Sequence, residues 1–352
     1  EDLEKIPMLG REDIDRKGSA LGYTVKQEAG VPVIHTELFT SGIGYLKILF
    51  NTDRVPAEDM PYVGLLKAVL GYMDTELHTY GDLTSEIYLN SGGMDFSVTS
   101  FIDLEQPKRF TGAFVVSAKV LYEKLDFVFS TVTEILTKTK LDDEKRLGEI
   151  LDETKSRARM RLDDGSHGAA VARATSYFSP TSAYNDVTGG IGYYHFLENT
   201  AKRYGSDPEY RRELIGKLQE TIGRLFTADN LLVGYTADEE GYSLLGAHLA
   251  AFKESLPAGD QKTYPFTCKL ENRNEGFMTA SQVNYVARCG TFADSGHPYT
   301  GALKVLKVIM NYEYLWTNLR VKGGAYGCMS GFGRSGEGYL VSYRDPNLSA
   351  TN

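Results

Sequence analysis

Cysteine is scarce: the 352 residues contain three, Cys268, Cys289 and Cys328. An odd, widely spaced set with no C-x-x-C pair excludes a disulfide framework and a thiolate zinc site. The three read as reduced, buried small residues, in keeping with a cytosolic or organelle-matrix setting. Basic residues are outnumbered, with 38 Lys and Arg against 47 Asp and Glu, a formal charge of −9 and a pI near 5.3. A nucleic-acid binder would carry a basic stripe, so that class is set aside. No apolar run reaches the roughly 20 residues that cross a bilayer. The longest, Ala302 to Met310, is broken by Lys304 and Lys307, and no membrane contact is expected. Nor does a secretory signal open the chain. It starts at Glu1 rather than Met, as a processed or partial polypeptide would. With 42% hydrophobic and 24% charged residues the composition is globular, and the length suits two domains.

Strands are expected at Val31–Phe39 and Gly42–Asn51, paired through Thr40-Ser41-Gly42. Ala57–Met73 places Met60, Leu65, Leu66, Val69 and Leu70 at helical spacing. A shorter helix over Leu83–Asn90 stops at Gly92-Gly93. Strands Met94–Ile102 and Thr111–Val120 follow, then helices Leu121–Lys138, Asp142–Leu162, Gly168–Tyr177, Gly189–Lys202 and Pro208–Phe226. A strand at Asn230–Thr236 and a helix at Glu239–Ser255 lead to Leu256-Pro-Ala-Gly-Asp260, the best linker.

An internal repeat crosses that linker. Pro61-Tyr-Val-Gly-Leu-Leu-Lys67 matches Pro298-Tyr-Thr-Gly-Ala-Leu-Lys304 at five of seven positions. Gly92-Gly93 and Phe101 then align with Gly323-Gly324 and Phe332, with a connection six residues shorter in the second copy. Upstream, Gly44–Lys47 has an echo in Asn284–Ala287. The common order of these matches implies duplication: strands, long helix, shorter helix, Gly-Gly, strands. Asn352 aligns with Leu121, where the first copy begins its run of helices, so a second domain that stops short is expected. Asp345-Pro346-Asn347 resembles a helix start with Pro at N1.

Gly192–Thr200 reads GYYHFLENT, one letter from the inverted zinc motif H-x-x-E-H. Asn199 stands where a second imidazole belongs, and its neutral amide is a poor zinc ligand. A third ligand, Glu271 or Glu275, could be nominated only arbitrarily. The expectation is a packing helix with Phe196 and Leu197 inward and His195 at its edge. Gly331-Phe-Gly-Arg-Ser-Gly336 fits G-x-G-x-x-G, but Gly338–Tyr343 after it is strand-like, so it reads as a hairpin loop. Asp142-Asp143-Glu144 and Asp163-Asp164 read as helix-end or hydrated charges. Ser166-His167 has no acid partner and makes no triad.

The stretch Tyr314-Leu-Trp-Thr-Asn-Leu-Arg-Val-Lys-Gly-Gly-Ala-Tyr-Gly327, followed by Gly338-Tyr-Leu-Val-Ser-Tyr-Arg-Asp-Pro-Asn-Leu348, resembles the presequence-protease branch of the insulinase (pitrilysin) family of zinc metalloendopeptidases. "MPYVGLLKAVLGYMDT" and "LNSGGMDFSVTSF" resemble the same enzymes one domain earlier. The likeness covers almost the whole chain. It implies an α+β fold of two tandem homologous insulinase-family (LuxS/metallohydrolase-like) domains, each a mostly antiparallel sheet packed with helices: domain three over 1–255, a linker over 256–260, and a shortened domain four over 261–352.

The resemblance further implies that zinc is held by the N-terminal half of the full-length enzyme, not by this chain, which has no H-x-x-E-H. The helix equivalent to the metal helix would be Ala57–Met73, making HFLEN a coincidence. Arg320 and Tyr326 are the residues implied to reach substrate, with Gly323 and Gly324 letting backbone approach closely. Copy one has Leu89 and Asp95 at the aligned positions, so packing does not demand the pair. The implied activity is degradation of unstructured peptides in a closed chamber, with this chain alone inactive. The implied partners are peptides and the N-terminal half, in a bacterial cytoplasm or a mitochondrial or plastid matrix. A non-catalytic scaffold or partner subunit that binds peptides or proteins is the alternative.

Overall fold

The computed structural model describes residues 5–15, 17, 18, 20 and 22–351; Glu1 and Asn352, used in the reading above, lie outside them. Thr24–Glu28 (β1), Val31–Glu37 (β2), Ile43–Asn51 (β3), Met94–Ile102 (β4), Phe110–Leu121 (β5) and Leu231–Ala237 (β6) form a sheet of order β1-β2-β6-β3-β5-β4. Period-two alternation assigns its faces. Leu46, Ile48 and Phe50 turn inward beside Phe114, Val116, Val233 and Tyr235, while Tyr45, Lys47, Asp95 and Lys119 stay exposed. One face packs, and the other mixes polar side chains with apolar ones such as Tyr45, Leu49 and Phe101.

The expected hairpin between β2 and β3 does not form. β6 enters between them, parallel to β2 and antiparallel to β3, so that Val233 lies level with both Val33 and Ile48. The physical reason is burial: a strand alternating as strongly as Leu231–Ala237 is best paired on both edges, and a short connection does not oblige its two strands to be neighbours.

Helices Met60–Val69 (α1), Tyr80–Asn90 (α2), Leu125–Lys138 (α3), Glu144–Asp164 (α4), Ser166–Thr175 (α5), Pro180–Gly189 (α6), Ile191–Ser206 (α7), Pro208–Leu225 (α8) and Glu239–Ser255 (α9) accompany this sheet. Several of their starts are capped by aspartates: Asp143 accepts from Arg146 N at 2.9 Å, Asp207 from Glu209 N at 2.9 Å and Asp238 from Gly241 N at 3.0 Å. The helix expected over 189–202 is α7, and a further helix, α6, ends just before it. Asp186, buried, accepts from Gly192 N at 3.2 Å and from Arg173 Nη1 at 2.6 Å. The break at Gly190 lets α6 end and α7 begin around that carboxylate. α6 itself escaped the sequence reading because Thr181, Tyr184 and Thr188, mostly polar, form its buried side.

α1 is surrounded: Met60, Val63, Leu65, Leu66 and Val69 are all buried against the sheet and against α4, α6, α7 and α8. Full burial of such side chains stabilises by about 1.5–3 kcal/mol each. Gly64 has no room to spare, since an added Cβ would lie 2.7 Å from Thr188 O and 2.9 Å from the Tyr193 ring. The connection from α1 to α2 is pinned to α3 by the buried Glu134, whose Oε1 accepts from Thr75 Oγ1 and pairs with His78 Nδ1 at 2.9 Å.

No helix or strand interrupts the run from Leu256 to Ala287, yet it is tied down. Tyr264 OH accepts from Arg224 at 2.9 Å, and Arg173 Nε donates to Glu275 at 2.8 Å. Leu256, the expected start of the linker, is buried. Beyond it Ala287–Thr291 (β7), Gly327–Phe332 (β8) and Glu337–Tyr343 (β9) form an antiparallel sheet of order β7-β9-β8. That is the order and sense of β3-β5-β4, as the repeat requires. α5 packs against β7 and β9. Residues 333–336 are the hairpin loop expected there.

Two helices were expected in the second copy. The structure has one: Ala302–Ile309 (α10) runs into π-helical turns over Met310–Lys322 without a break. The six-residue shortening falls where the first copy has its α1–α2 connection, residues 70–79. After β9, Asn347 N donates to Asp345 Oδ1 at 2.8 Å before a last turn, Leu348–Thr351 (α11). Of the cysteines, Cys268 is exposed, against expectation, because it lies in the coil; Cys289 and Cys328 are half-buried in strands.

Gly301, the repeat equivalent of Gly64, has helical φ −59° and nothing within 4 Å of an added Cβ. Gly64→Ala should therefore cost about 1–3 kcal/mol by overpacking. Gly301→Ala should fall within about 0.5 kcal/mol of neutral or slightly stabilise. Urea unfolding of both variants measures the contrast, and equal effects would contradict it. The Glu134 hydrogen bond, more than its charge, raises the His78 pKa above the usual 6.5. A raised folded value means a contribution complete below about 6.5 that fades as pH climbs past it. The unfolding free-energy gap between the parent and His78→Ala should thus shrink from pH 5.5 to 8.5; a constant gap would contradict this.

Candidate functional site

The expected residues converge where α10's extension meets β8. A helix entering a strand must release its last carbonyls and reverse course, which the left-handed region allows. Gly324, at φ +81°, does this: its N–H donates to Arg320 O at 3.0 Å, and Ala325 N donates to Leu319 O at 2.9 Å. Gly93, at φ +115°, makes the turn between α2 and β4, its N–H donating instead to Ser91 Oγ at 3.1 Å. The two copies then diverge. Met94 enters the β4 ladder directly after Gly93, whereas Ala325 and Tyr326 separate Gly324 from Gly327, where β8 begins. Ala325 is buried; Tyr326, 63% exposed, stands at the mouth of the strand.

Arg320 lies one turn before the glycines, half-buried. Its guanidinium sits 4.3 Å from the Trp316 ring centroid and 5.2 Å from that of Tyr326, and its Nη1 donates to Tyr326 O. Such contacts hold a guanidinium still without neutralising it. Burial pushes the nearby Cys328 thiol up while the Arg320 charge draws it down. The Tyr326 hydroxyl makes no hydrogen bond to a described residue and is free to donate. Gly323 O accepts from Asn347 Nδ2 at 2.5 Å, and Asn347 is itself fixed by Asp345.

Arg344 was not among the expected residues. Tyr326 N donates to Arg344 O at 3.2 Å across the β8–β9 ladder, bringing the Arg344 guanidinium to 6.0 Å from the Tyr326 ring. Strand register, which sequence spacing does not fix, creates that proximity. Its φ of +49°, outside glycine, costs about 1–2 kcal/mol. His195, by contrast, is exposed on α7 with Glu198 Oε2 at 3.8 Å, far along the chain from this cluster. Among the described residues no group of three or more His, Cys, Asp or Glu is placed to hold a metal ion. The side chains present at the cluster are donors, and cationic ones, which do not fit zinc. They fit a developing negative charge or a peptide carbonyl.

Residues 1–199 match the family of segments associated with M16 peptidases of subfamily C, and residues 274–352 match the PreP C-terminal domain. The chain belongs to the first of these, the family associated with subfamily C of the M16 peptidases. Together the two matches make it a presequence-protease-like, C-terminal portion of an M16 peptidase. Protein HypA of Clostridium perfringens is 34% identical over 100% of this chain and 36% of its own length. Presequence protease 1, chloroplastic/mitochondrial, of Arabidopsis thaliana is 28% identical over 100% of this chain and 32% of its own. The chain thus spans about a third of the length of these relatives. Among solved structures, a conserved protein from Enterococcus faecalis V583 superposes with TM-score 0.60 at 15% identity, covering 91% of this chain and 75% of its own. A peptidase M16 inactive domain from Pseudomonas fluorescens gives TM-score 0.57 at 17% identity, covering 94% and 76%. These superpositions establish the insulinase-like α+β fold.

In this M16-family chain the geometry of the glycine turn is testable. An added Cβ at Gly324 would meet only Pro346 Cγ, at 3.5 Å, so backbone strain and not crowding opposes substitution. Gly324→Ala should lose about 1–2 kcal/mol. Gly324→Asn, bulkier but more tolerant of the left-handed region, should lose less. Urea unfolding decides: a larger loss for Asn would mean crowding governs the site.

Proposed function

We propose that this chain is the substrate-facing, non-metal side of a zinc metalloendopeptidase that degrades unstructured peptides in a closed chamber. On this reading residues 1–255 and 261–352 are its third and fourth domains, joined through 256–260. Zinc is held by the N-terminal half of the longer polypeptide, and what it supplies when bound is an activated water. Every role assigned to this chain belongs to its own donors. Tyr326 directs its hydroxyl at the oxyanion that forms when the scissile carbonyl carbon becomes tetrahedral. Arg320 holds a neighbouring peptide carbonyl in its forked donors. Gly323 and Gly324 keep the backbone beside them low enough for substrate to approach. A bacterial cytoplasm, or a mitochondrial or plastid matrix as in the names of the relatives, is the setting this reading favours.

One observation carries it. Arg320 and Tyr326 stand side by side at the same turn, the phenol exposed and its hydroxyl unused by the protein, where packing demands neither. The mixed polar and apolar outer face of the large sheet also suits a chamber wall, with backbone edges able to hold an extended peptide. The chain alone, lacking a metal site among its described residues, is expected to be inactive.

In the full-length enzyme Arg320→Ala and Tyr326→Phe should each lower kcat/KM about 100-fold, the usual loss for one transition-state donor. Stability should shift by less than about 0.5 kcal/mol for exposed Tyr326 and by about 1 kcal/mol for half-buried Arg320, which loses its stacking on Trp316. Steady-state kinetics on an unstructured peptide, beside urea unfolding, tests both. Parental turnover in both variants would remove these roles and favour a non-catalytic scaffold.

A further inference from the structure

Tyr326 is flanked by two guanidiniums, and only Arg320 has been given a task. Arg344 Cζ lies 6.0 Å from the Tyr326 ring and 5.5 Å from the Tyr343 ring. Neither arginine forms an ion pair with any described residue, in a chain whose formal charge is −9. The exposed ring therefore carries positive charge on its flanks that no carboxylate among the described residues offsets. Arg344 is held there by force of context. Its left-handed backbone is locked by the buried Asp345, whose N–H and C=O pair with Asn284 at 2.9 and 2.8 Å, and whose Oδ1 caps Asn347. A strained, solvent-exposed cation without an ion-pair partner, beside an exposed phenol, is the pattern of a ligand clamp.

We propose that Arg344 is a specificity-determining residue that receives a carboxylate of the bound peptide, beside the carbonyl held by Arg320. The inference rests on the peptidase reading above. A guanidinium offers parallel N–H donors matching the two oxygens of a carboxylate, whereas neutral amide side chains gain little from it. The carboxylate could be an Asp or Glu side chain, or the peptide's own C-terminus. The preferred substrates are therefore peptides with a negative charge near the scissile bond. No bond is made or broken at Arg344; it positions.

Trp316 is the only tryptophan, and its ring centroid lies 4.3 Å from the Arg320 guanidinium, so its fluorescence reports on occupancy without any turnover. The chain is titrated with three otherwise identical hexapeptides: Gln-containing and C-terminally amidated, Glu-containing and amidated, and Gln-containing with a free C-terminus. At least one carboxylate peptide should bind about 10-fold more tightly than the neutral one, and which one identifies the source. Arg344→Gln should reduce that preference to less than about 3-fold, and Arg344→Lys should restore it only in part. Arg344→Gly should also lose the preference while raising Tm, because glycine relieves the left-handed strain; a purely structural role would give stabilisation with the preference retained. Equal binding of all three peptides, or an unchanged preference in Arg344→Gln, overturns the proposal. Because this assay reads binding alone, a failure here is distinct from a failure of the Arg320 and Tyr326 kinetics, which would sink the peptidase reading instead.

Discussion

A helix that runs directly into an edge strand must give up its last carbonyls and turn sharply within two or three residues. In this chain that requirement is met twice by a glycine with positive φ, Gly93 and Gly324. In the first copy the glycine passes straight into the ladder: Gly92 N donates to Lys119 O at 2.8 Å and Lys119 N to Gly93 O at 3.2 Å. In the second the ladder begins later, and the residues released by the delay are Ala325 and Tyr326. One is buried and anchors the turn; the other is left standing at the strand mouth. The site is thus a displacement of strand onset, built on a turn that the fold needs anyway.

The same repeat motif also occupies two environments. Lys67 in α1 is enclosed, donating to Thr188 O at 2.8 Å, and burial, aided by the Arg161 charge, pushes it down to about 8. Lys304, its equivalent at the start of α10, is exposed. Leu66 is fully buried, whereas Val305, Val308 and Ile309 on α10 are more than half exposed. What separates the copies is the covering layer of α6, α7 and α8, which packs on α1 and has no counterpart on α10 among the described residues. A motif therefore fixes local geometry, while its protonation and its tolerance of substitution are set by what lies over it.

The repeat, the glycine turns and the β4–β5 pair were legible because each depends on local pattern: period-two burial, a helix stop, a glycine doublet. The Arg320–Tyr326 pairing was legible only through resemblance, though their spacing across one turn is compatible with contact. Three things were not legible. The insertion of β6 between β2 and β3 depends on a strand far away in the chain, and α6 hides its buried face behind threonines and a tyrosine. Arg344 reaches Tyr326 through cross-strand register. All three are tertiary choices among alternatives that local propensity leaves nearly equal.

Separating structural from chemical duty explains why the cluster can be cationic and exposed at little cost. The turn is held by Gly324, by buried Ala325, by Asn347 on Gly323 O, and by Asp345 paired with Asn284. None of these bonds uses the Tyr326 hydroxyl or the Arg344 guanidinium, and Arg320 commits only one donor, to Tyr326 O. Removing those polar ends leaves no buried group unsatisfied, so stability exerts little selection on them. The two guanidiniums, without carboxylate partners among the described residues, and the exposed phenol thus stand on a turn whose backbone is held by other groups.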